Sequence, residues 1–276
     1  MRQVVALGSL KGAPGVSTLA LALAAAWPCV GEVRPVVVEA DASGGDLAVR
    51  FGLSDMAGLL ALAAGARQVG VDAALAGCAQ EAAGGVRVVV GPTGADQAAP
   101  CVAEIAACPS VLRGGGGGGS AGAVLLDLGH MGGAASQELA RAADRLVLVA
   151  RGGRDALAHV AARPQWLEGI RWELVVVGEC RYAGAEIAKA LRVDAGQIHT
   201  VPWDTAAGAA LGGDRRVGER RWRRSPLAHS ASQLARHLSG VDDGRQRAGL
   251  AGELAQLVTR AVPHPALGPA GEGGSR

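Results

Sequence analysis

Aromatic residues are scarce in this chain, at 3% of 276 residues, so a core built on stacked rings is excluded and Ala, Val and Leu must fill the interior. Lysine is scarcer still. Only Lys11 and Lys189 occur among 27 basic residues, the other 25 being arginine, and this bias makes each surviving lysine informative. The five cysteines (Cys29, Cys78, Cys101, Cys108 and Cys180) are odd in number and include no Cys-x-x-Cys pair. That argues against a disulfide framework or a cysteine zinc site and fits a reducing compartment. The six histidines are scattered singly, with no His-x-x-x-His or other paired-ligand spacing, so surface or core roles are expected for them. No Gly-x-Ser-x-Gly elbow is present. No strong excess of charge is present either: the net value of +2 demands no acidic partner. Long apolar runs are missing too. The stretch from Leu19 to Gly31 spans 13 residues and includes Pro28, against the roughly 20 that a membrane-spanning helix needs, and reads as a core helix. The chain opens on a strand-like run, Val4 to Leu7, with Lys11 soon after, unlike a secretory signal.

What is present is a rhythm. Apolar runs at Val4–Leu7, Pro35–Glu39, Val86–Val90, Ala123–Asp127, Arg145–Val149, Trp172–Val177 and Gln197–Val201 read as strands. Helical stretches begin near Gly15, Met56, Val71, Ala95, Gly133, Asp155 and Ala183, and one more near Ser225. Val-rich strands alternating with Ala-rich helices predict an α/β fold: a doubly wound, mostly parallel sheet flanked by helices on both faces. Length alone admits one α/β domain or two small ones, and the continuous strand–helix rhythm is read as a single domain over residues 1–261. Within it Gly114 to Ser120, six glycines and a serine, reads as a flexible surface loop. Leu250, Leu254, Leu257 and Val258 recur at helical spacing and predict a packed terminal helix ahead of the alternative, a membrane-surface helix, because the Lys/Arg-rich polar face such helices show is missing. Residues 262–276, rich in Pro and Gly, read as a disordered tail.

The most specific segment is Gly8-Ser-Leu-Lys-Gly-Ala-Pro-Gly-Val-Ser-Thr18, between the first strand and an Ala/Leu helix. Glycines there let backbone N–H groups turn toward phosphate, the helix N-terminus adds positive potential, and a hydroxyl at the end of the loop can ligate Mg²⁺. Two carboxylates follow at the ends of apolar runs: Asp41 after Val-Val-Val-Glu-Ala, and Asp127 after Ala-Val-Leu-Leu. Strand C-termini form the ligand-binding edge of an open α/β sheet.

Lys11-Gly-x-x-Gly-x-Ser-Thr18 resembles the deviant Walker A loop of the ParA/MinD family of P-loop ATPases. The string from Asp41 through Gly44, Gly45, Asp46 and Phe51-Gly-Leu53 resembles that family's TadZ/CpaE branch, which is associated with pilus assembly. The resemblance covers about residues 1–240. It implies a P-loop NTPase fold and a cytoplasmic protein, peripheral to the membrane at most through a partner. It implies ATP or ADP with Mg²⁺ as ligands, and an ATPase acting as a switch in positioning or assembly, with pilus or secretion machinery or DNA partition as the setting. By position, Lys11 is the signature lysine that reaches a dimer partner's nucleotide, and Asp41 positions the attacking water. Gly12, Gly15, Val16 and Thr18 belong to the phosphate loop, Ser17 ligates Mg²⁺, and Asp127 holds Mg²⁺ through a water. Gly129 offers its N–H to the γ-phosphate, and Pro202 and Asp204 lie beside the base. Asp46 reads as structural. Three departures stand out: Ala13 replaces a glycine, Val16 replaces the second lysine, and Gly178-Glu179 replaces the asparagine that reads the base. The second departure implies weakened hydrolysis, or a non-hydrolysing scaffold. Finally, Arg215–Arg224 holds six arginines around Trp222 and reads as a solvated loop ahead of the helix near Ser225, or as a basic surface that contacts DNA phosphates without sequence preference, with the tryptophan adding stacking.

Overall fold

A computed structural model describes residues 1–29, 33–67, 71–114, 122–162, 165–213 and 222–241. The Gly-rich loop beyond Gly114, most of the Arg-rich segment, the expected terminal helix, the tail and the boundary at residue 261 lie outside the described residues.

The strands are β1 (Gln3–Ser9), β2 (Val36–Glu39), β3 (Gln80–Glu81), β4 (Arg87–Val89), β5 (Ala123–His130), β6 (Arg145–Arg151), β7 (Trp172–Val177) and β8 (Ile198–Val201). They form one sheet in the order β3-β4-β2-β5-β1-β6-β7-β8. Every pairing is parallel except that of the short edge strand β3 with β4. The helices are α1 (Val16–Ala26), α2 (Leu47–Phe51), α3 (Leu59–Gly65), α4 (Val71–Cys78), α5 (Ala95–Ala107), α6 (Ser110–Arg113), α7 (Ala134–Ala142), α8 (Arg154–Ala161), α9 (Gly184–Leu191), α10 (Thr205–Leu211) and the last one described, α11 (Pro226–Ser239). The expected α/β sheet is therefore the one observed. Sequence reading missed β3, α2, α6 and α10, each between two and seven residues long and too short to show a period. The helix expected from Met56 begins at Leu59, because the backbone at Gly58 is non-helical (φ −101°, ψ −134°) and the Leu59 N–H is donated to the Val90 carbonyl at 2.8 Å.

Strand side chains alternate between two layers of core. Val4, Ala6, Val38, Leu126, Leu148 and Val176 face α3 to α9. Val5, Leu7, Val37, Leu125, Val147 and Val175 face α1, α2, α10 and α11. Helix α1 is apolar on nearly its whole circumference because it lies between the sheet and α10 and α11. Leu and Ala favour it intrinsically, and it stops at Trp27, which is extended ahead of Pro28 as a residue preceding proline should be. Helix α11 carries its own punctuation. The Ser225 hydroxyl accepts the Ala228 N–H at 3.0 Å, Pro226 opens the first turn, and Gly240 closes the helix in the left-handed region. None of the described helices is long and apolar enough to cross a membrane.

One polar tie anchors the start of the central strand. Asp144 accepts the Val4 N–H at 2.7 Å and pairs with Arg113, whose guanidinium also donates to the Ala142 carbonyl at 2.7 Å. Removing this carboxylate leaves a strand N–H and an arginine without their acceptor. Asp144→Ala is expected to lower unfolding free energy by about 1–3 kcal/mol, read as a lower urea midpoint at unchanged slope.

Candidate functional site

Strand β1 ends at Ser9 and the chain enters α1 through the loop Leu10 to Gly15. Gly12 (φ 69°) and Gly15 (φ 98°) both sit in the left-handed region, where only glycine is comfortable. Gly15 is the residue from which α1 starts, and no side chain caps the helix there. The first-turn N–H groups of α1 therefore face the loop without intrahelical acceptors, the arrangement that favours a bound anion. Ser9 ties the loop to the neighbouring strand end: its hydroxyl lies 3.0 Å from the Gly12 carbonyl and 3.3 Å from that of Gly129. Ser9 carries no motif signal and sequence reading passed over it. Lys11 is exposed at the loop tip, whereas Ser17 and Thr18 are half-buried in the first turn.

Val16, placed among the phosphate-contacting residues by resemblance, has its side chain in the core. It is 5% exposed and packs with Leu7, Leu125 and the α1 leucines. Its backbone alone belongs to the loop. An apolar residue that starts a core-facing helix is drawn inward by the area it can bury, so the loop lacks a second cation and gains an anchor.

Three carboxylates gather where β2 and β5 end. Asp127 aligns with Leu7 on one side and Glu39 on the other. It is fully buried: Oδ1 accepts the Gly129 N–H at 3.0 Å, Oδ2 has no hydrogen-bond partner, and the Ser17 side chain lies against the carboxylate. Burial pushes its pKa up to about 7. The Ser17 and Gly129 contacts oppose the rise, and the charges of Glu39 and Asp41 add to it. Asp41 is half-buried. Its Oδ1 accepts from both the N–H (2.8 Å) and the hydroxyl (2.6 Å) of Ser43, and its other oxygen packs on the Cα of Gly129, leaving no space there for a Cβ. Gly129 is thus required by Asp41 as well as by its own φ of 53°.

Glu39 is the residue that sequence reading missed. It is 3% exposed and accepts the N–H groups of Asp46 (2.8 Å), Leu47 (3.0 Å) and Gly91 (2.9 Å). Burial raises its pKa, against those three N–H groups, with the Asp46 charge adding to the rise. It clamps the segment after Asp41 to the end of β4. A Cβ at Gly45 would come 2.5 Å from Glu39 Oε2, and one at Gly44 would meet the Thr93 carbonyl. Close packing, then, explains the Gly44-Gly45 pair. The side chain of Asp46 is turned to solvent, 3.9 Å from Arg50, and only its backbone N–H takes part in the clamp, through Glu39.

Beside the loop lies a cleft of about 250 Å³, lined by Pro14, Gly15, Thr18, Val201, Trp203 and Gly208 among others. Pro202 and Asp204 also line it, and Asp204 caps α10 by accepting the Ala207 N–H at 2.9 Å. The Trp203 ring is half-exposed at the mouth, with the Arg151 guanidinium stacked 3.7 Å from its centre. Arg151 also escaped the sequence reading, since nothing in the sequence marks it. Trp222 is half-buried and packs against the core layer that holds α1, α10 and α11.

An ionised carboxylate oxygen buried without a partner costs stability until a cation arrives. The Asp127 pKa is raised, so in the metal-free protein the folded state holds a proton that the unfolded state releases, and stability falls as pH climbs from the ordinary carboxylate range through about 7. Asp127→Asn is expected to stabilise the metal-free protein by about 1–3 kcal/mol. Urea unfolding in chelator should show the gain to be larger near pH 8 than near pH 5.

Neither a family model nor a curated protein sequence matches the chain. Solved structures do. A ParA family ATPase from Chlorobium tepidum TLS superposes with a TM-score of 0.66 at 16% identity, covering 86% of this chain and 98% of that one. The septum site-determining protein MinD of Pyrococcus horikoshii OT3, complexed with Mg-ADP, gives 0.66 at 16% identity over 88% and 98%. A MinC:MinD cell division protein complex from Aquifex aeolicus gives 0.62 at 15% identity over 86% and 96%. At such identities the likeness speaks for the fold, and the fold of this chain is the P-loop NTPase fold of the ParA and MinD ATPases.

Proposed function

We propose that the chain is a nucleotide-dependent switch that binds ATP or ADP with Mg²⁺ on the loop Lys11–Thr18. The observation that carries this reading is the orphaned Asp127 oxygen, buried beside the Ser17 hydroxyl at the foot of a helix whose first turn has no cap. Those groups fit a hydrated divalent cation and the phosphates it accompanies. Ser17 would ligate Mg²⁺ directly and Asp127 through a water, and bound there the ion supplies positive charge among phosphate oxygens. The backbone of Gly12, Gly15, Val16 and Thr18 cradles phosphate, whereas the Gly129 N–H, which the resemblance assigns to the γ-phosphate, is donated to Asp127 Oδ1 and steadies that carboxylate instead. The cleft under Trp203, with Pro202 and Asp204, receives the nucleoside. The P. horikoshii MinD carries Mg-ADP on the same fold.

Asp41 is the group placed to orient a water at the phosphate end, and its two bonds to Ser43 hold its orientation. Phosphoryl transfer rests chiefly on charge stabilisation. With Val16 buried, this loop offers only Lys11, which is exposed and free to reach outward to a second copy. Slow hydrolysis in a nucleotide-closed homodimer follows. A chain that binds nucleotide without turnover is the second reading, and the burial of Val16 favours it. In either case the output is a change in affinity for a protein partner; the A. aeolicus MinC:MinD complex is a protein of this fold bound to another protein. The TadZ/CpaE-like string after Asp41 points to a pilus or secretion assembly ahead of DNA partition. Non-specific DNA binding through Arg215–Arg224 rests on sequence alone.

Calorimetry with Mg-ATP and Mg-ADP is expected to show saturable binding that disappears in Gly15→Val, because valine opposes the left-handed backbone from which α1 starts. Absence of heat at millimolar nucleotide overturns the assignment. Phosphate release measured on the same samples separates the slow ATPase from the scaffold. Light scattering with a slowly hydrolysed analogue tests the dimer: wild type should double in mass and Lys11→Ala should remain monomeric. A dimer that persists in Lys11→Ala removes the role given to that lysine.

A further inference from the structure

The opposite end of the sheet carries a second cluster of polar groups. Glu173 is the second residue of β7, His199 the second of β8, and His237 lies in the last turn of α11. Strand alternation points Arg145, Glu173 and His199 to the same face as Val147, Val175 and Val201, the face that α11 covers. The Arg145 guanidinium donates to Glu173 Oε1 at 2.6 Å. Both imidazoles converge on the other oxygen, with Nε2 of His199 at 2.8 Å and Nε2 of His237 at 3.0 Å from Oε2. The two rings lie 5.0 Å apart and are tilted by 52°.

We propose that Glu173, His199 and His237 form a binding site for a divalent transition-metal ion, with zinc as the best match, that pins α11 to the edge of the sheet. Two imidazoles and one carboxylate are a ligand set suited to zinc, and a fourth position is left for water. The three ligand atoms lie within 4.8 Å of one another. A tetrahedral zinc with bonds of about 2.0–2.1 Å holds its ligand atoms some 3.3 Å apart. The two Glu173 edges therefore need to open by only a few tenths of an ångström. Arg145 does what outer-shell partners of metal ligands do: it occupies Oε1, fixes the carboxylate plane and leaves Oε2 for the ion. Access is provided as well. The side chain of Glu173 is 5% exposed, but those of His199 and His237 are 22% and 40% exposed, so an ion can enter from solvent and retain a water. The ligands come from two strands and a helix that are already packed, and an ion would bring the two imidazole nitrogens, now no more than 4.8 Å apart, to the tetrahedral spacing.

The site is independent of the phosphate loop, which occupies the other end of the strands, and its test needs no nucleotide. Untagged full-length chain, stripped with chelator, is titrated with Zn²⁺ at slightly alkaline pH by calorimetry. The expected result is one ion per chain. His199→Ala and His237→Ala should each weaken binding by at least about tenfold, the smallest loss typical even of an outer-shell change. His237→Gln, which keeps a polar side chain of similar reach, should do the same and guards against a packing defect in the alanine variant. Co²⁺ in place of Zn²⁺ should give tetrahedral d–d absorption without sulfur-to-metal charge transfer. Burial pushes the Cys78 and Cys101 thiols up, with Glu104 adding to the second, which disfavours thiolate at those positions. No saturable Zn²⁺ binding up to submillimolar concentration, binding untouched by all three histidine variants, or a thiolate spectrum overturns the proposal.

Discussion

The candidate site depends on one constraint, the burial of Asp127 in the centre of a parallel sheet. Its strand runs between β1 and β2, so the carboxylate arrives at the sheet's C-terminal edge with Leu7 on one side and Glu39 on the other. Water is excluded there by the same packing that makes the strand central. The charge is left with one backbone N–H, the Ser17 side chain and an oxygen that nothing satisfies. Such a group is costly in isolation and useful beside a cation, and the neighbouring features are consistent with that use. Gly129 twists to offer its N–H, Asp41 lies over it, and α1 opens from Gly15 with its first turn uncapped.

Glu39 extends the same logic one strand outward. It is buried like Asp127, but three backbone N–H groups satisfy it, and so it acts as a fastening. The segment from Asp41 to Leu47 hangs from that fastening. Gly44 and Gly45 are there because the chain passes too close to Thr93 and Glu39 for any side chain. Two carboxylates on adjacent strands thus take opposite parts, and the number of donors around each decides which.

The two ends of the sheet are chemically distinct. Acidic groups and an uncapped helix gather at the C-terminal edge, where helix dipoles and strand ends favour phosphate and cations. At the other end Arg145, Glu173, His199 and His237 tie β6, β7, β8 and α11 together. Helix α11 also packs on α1, at whose N-terminus the phosphate loop ends.

Period and punctuation alone determined the alternation of strands and helices, the doubly wound parallel sheet and the glycine loop that starts α1. Val-rich runs and Ala-rich stretches have few other stable arrangements, and the order of Lys11, Ser17, Asp41 and Asp127 is legible along the chain. Tertiary structure decided what each residue does in place. Val16 reads as a vacant lysine position in sequence, and the fold turns it into a core residue because α1 is buried on almost every side. Glu39 is an unremarked strand-end acid until the β2–β5 register sets it next to Asp127. Trp222 sits among arginines in sequence and against the core in space. His199 and His237 are 38 positions apart in the chain, and no local spacing could pair them. They meet because β8 is the sheet edge onto which α11 folds back, a contact that burial of apolar surface dictates and that leaves no trace in either segment alone.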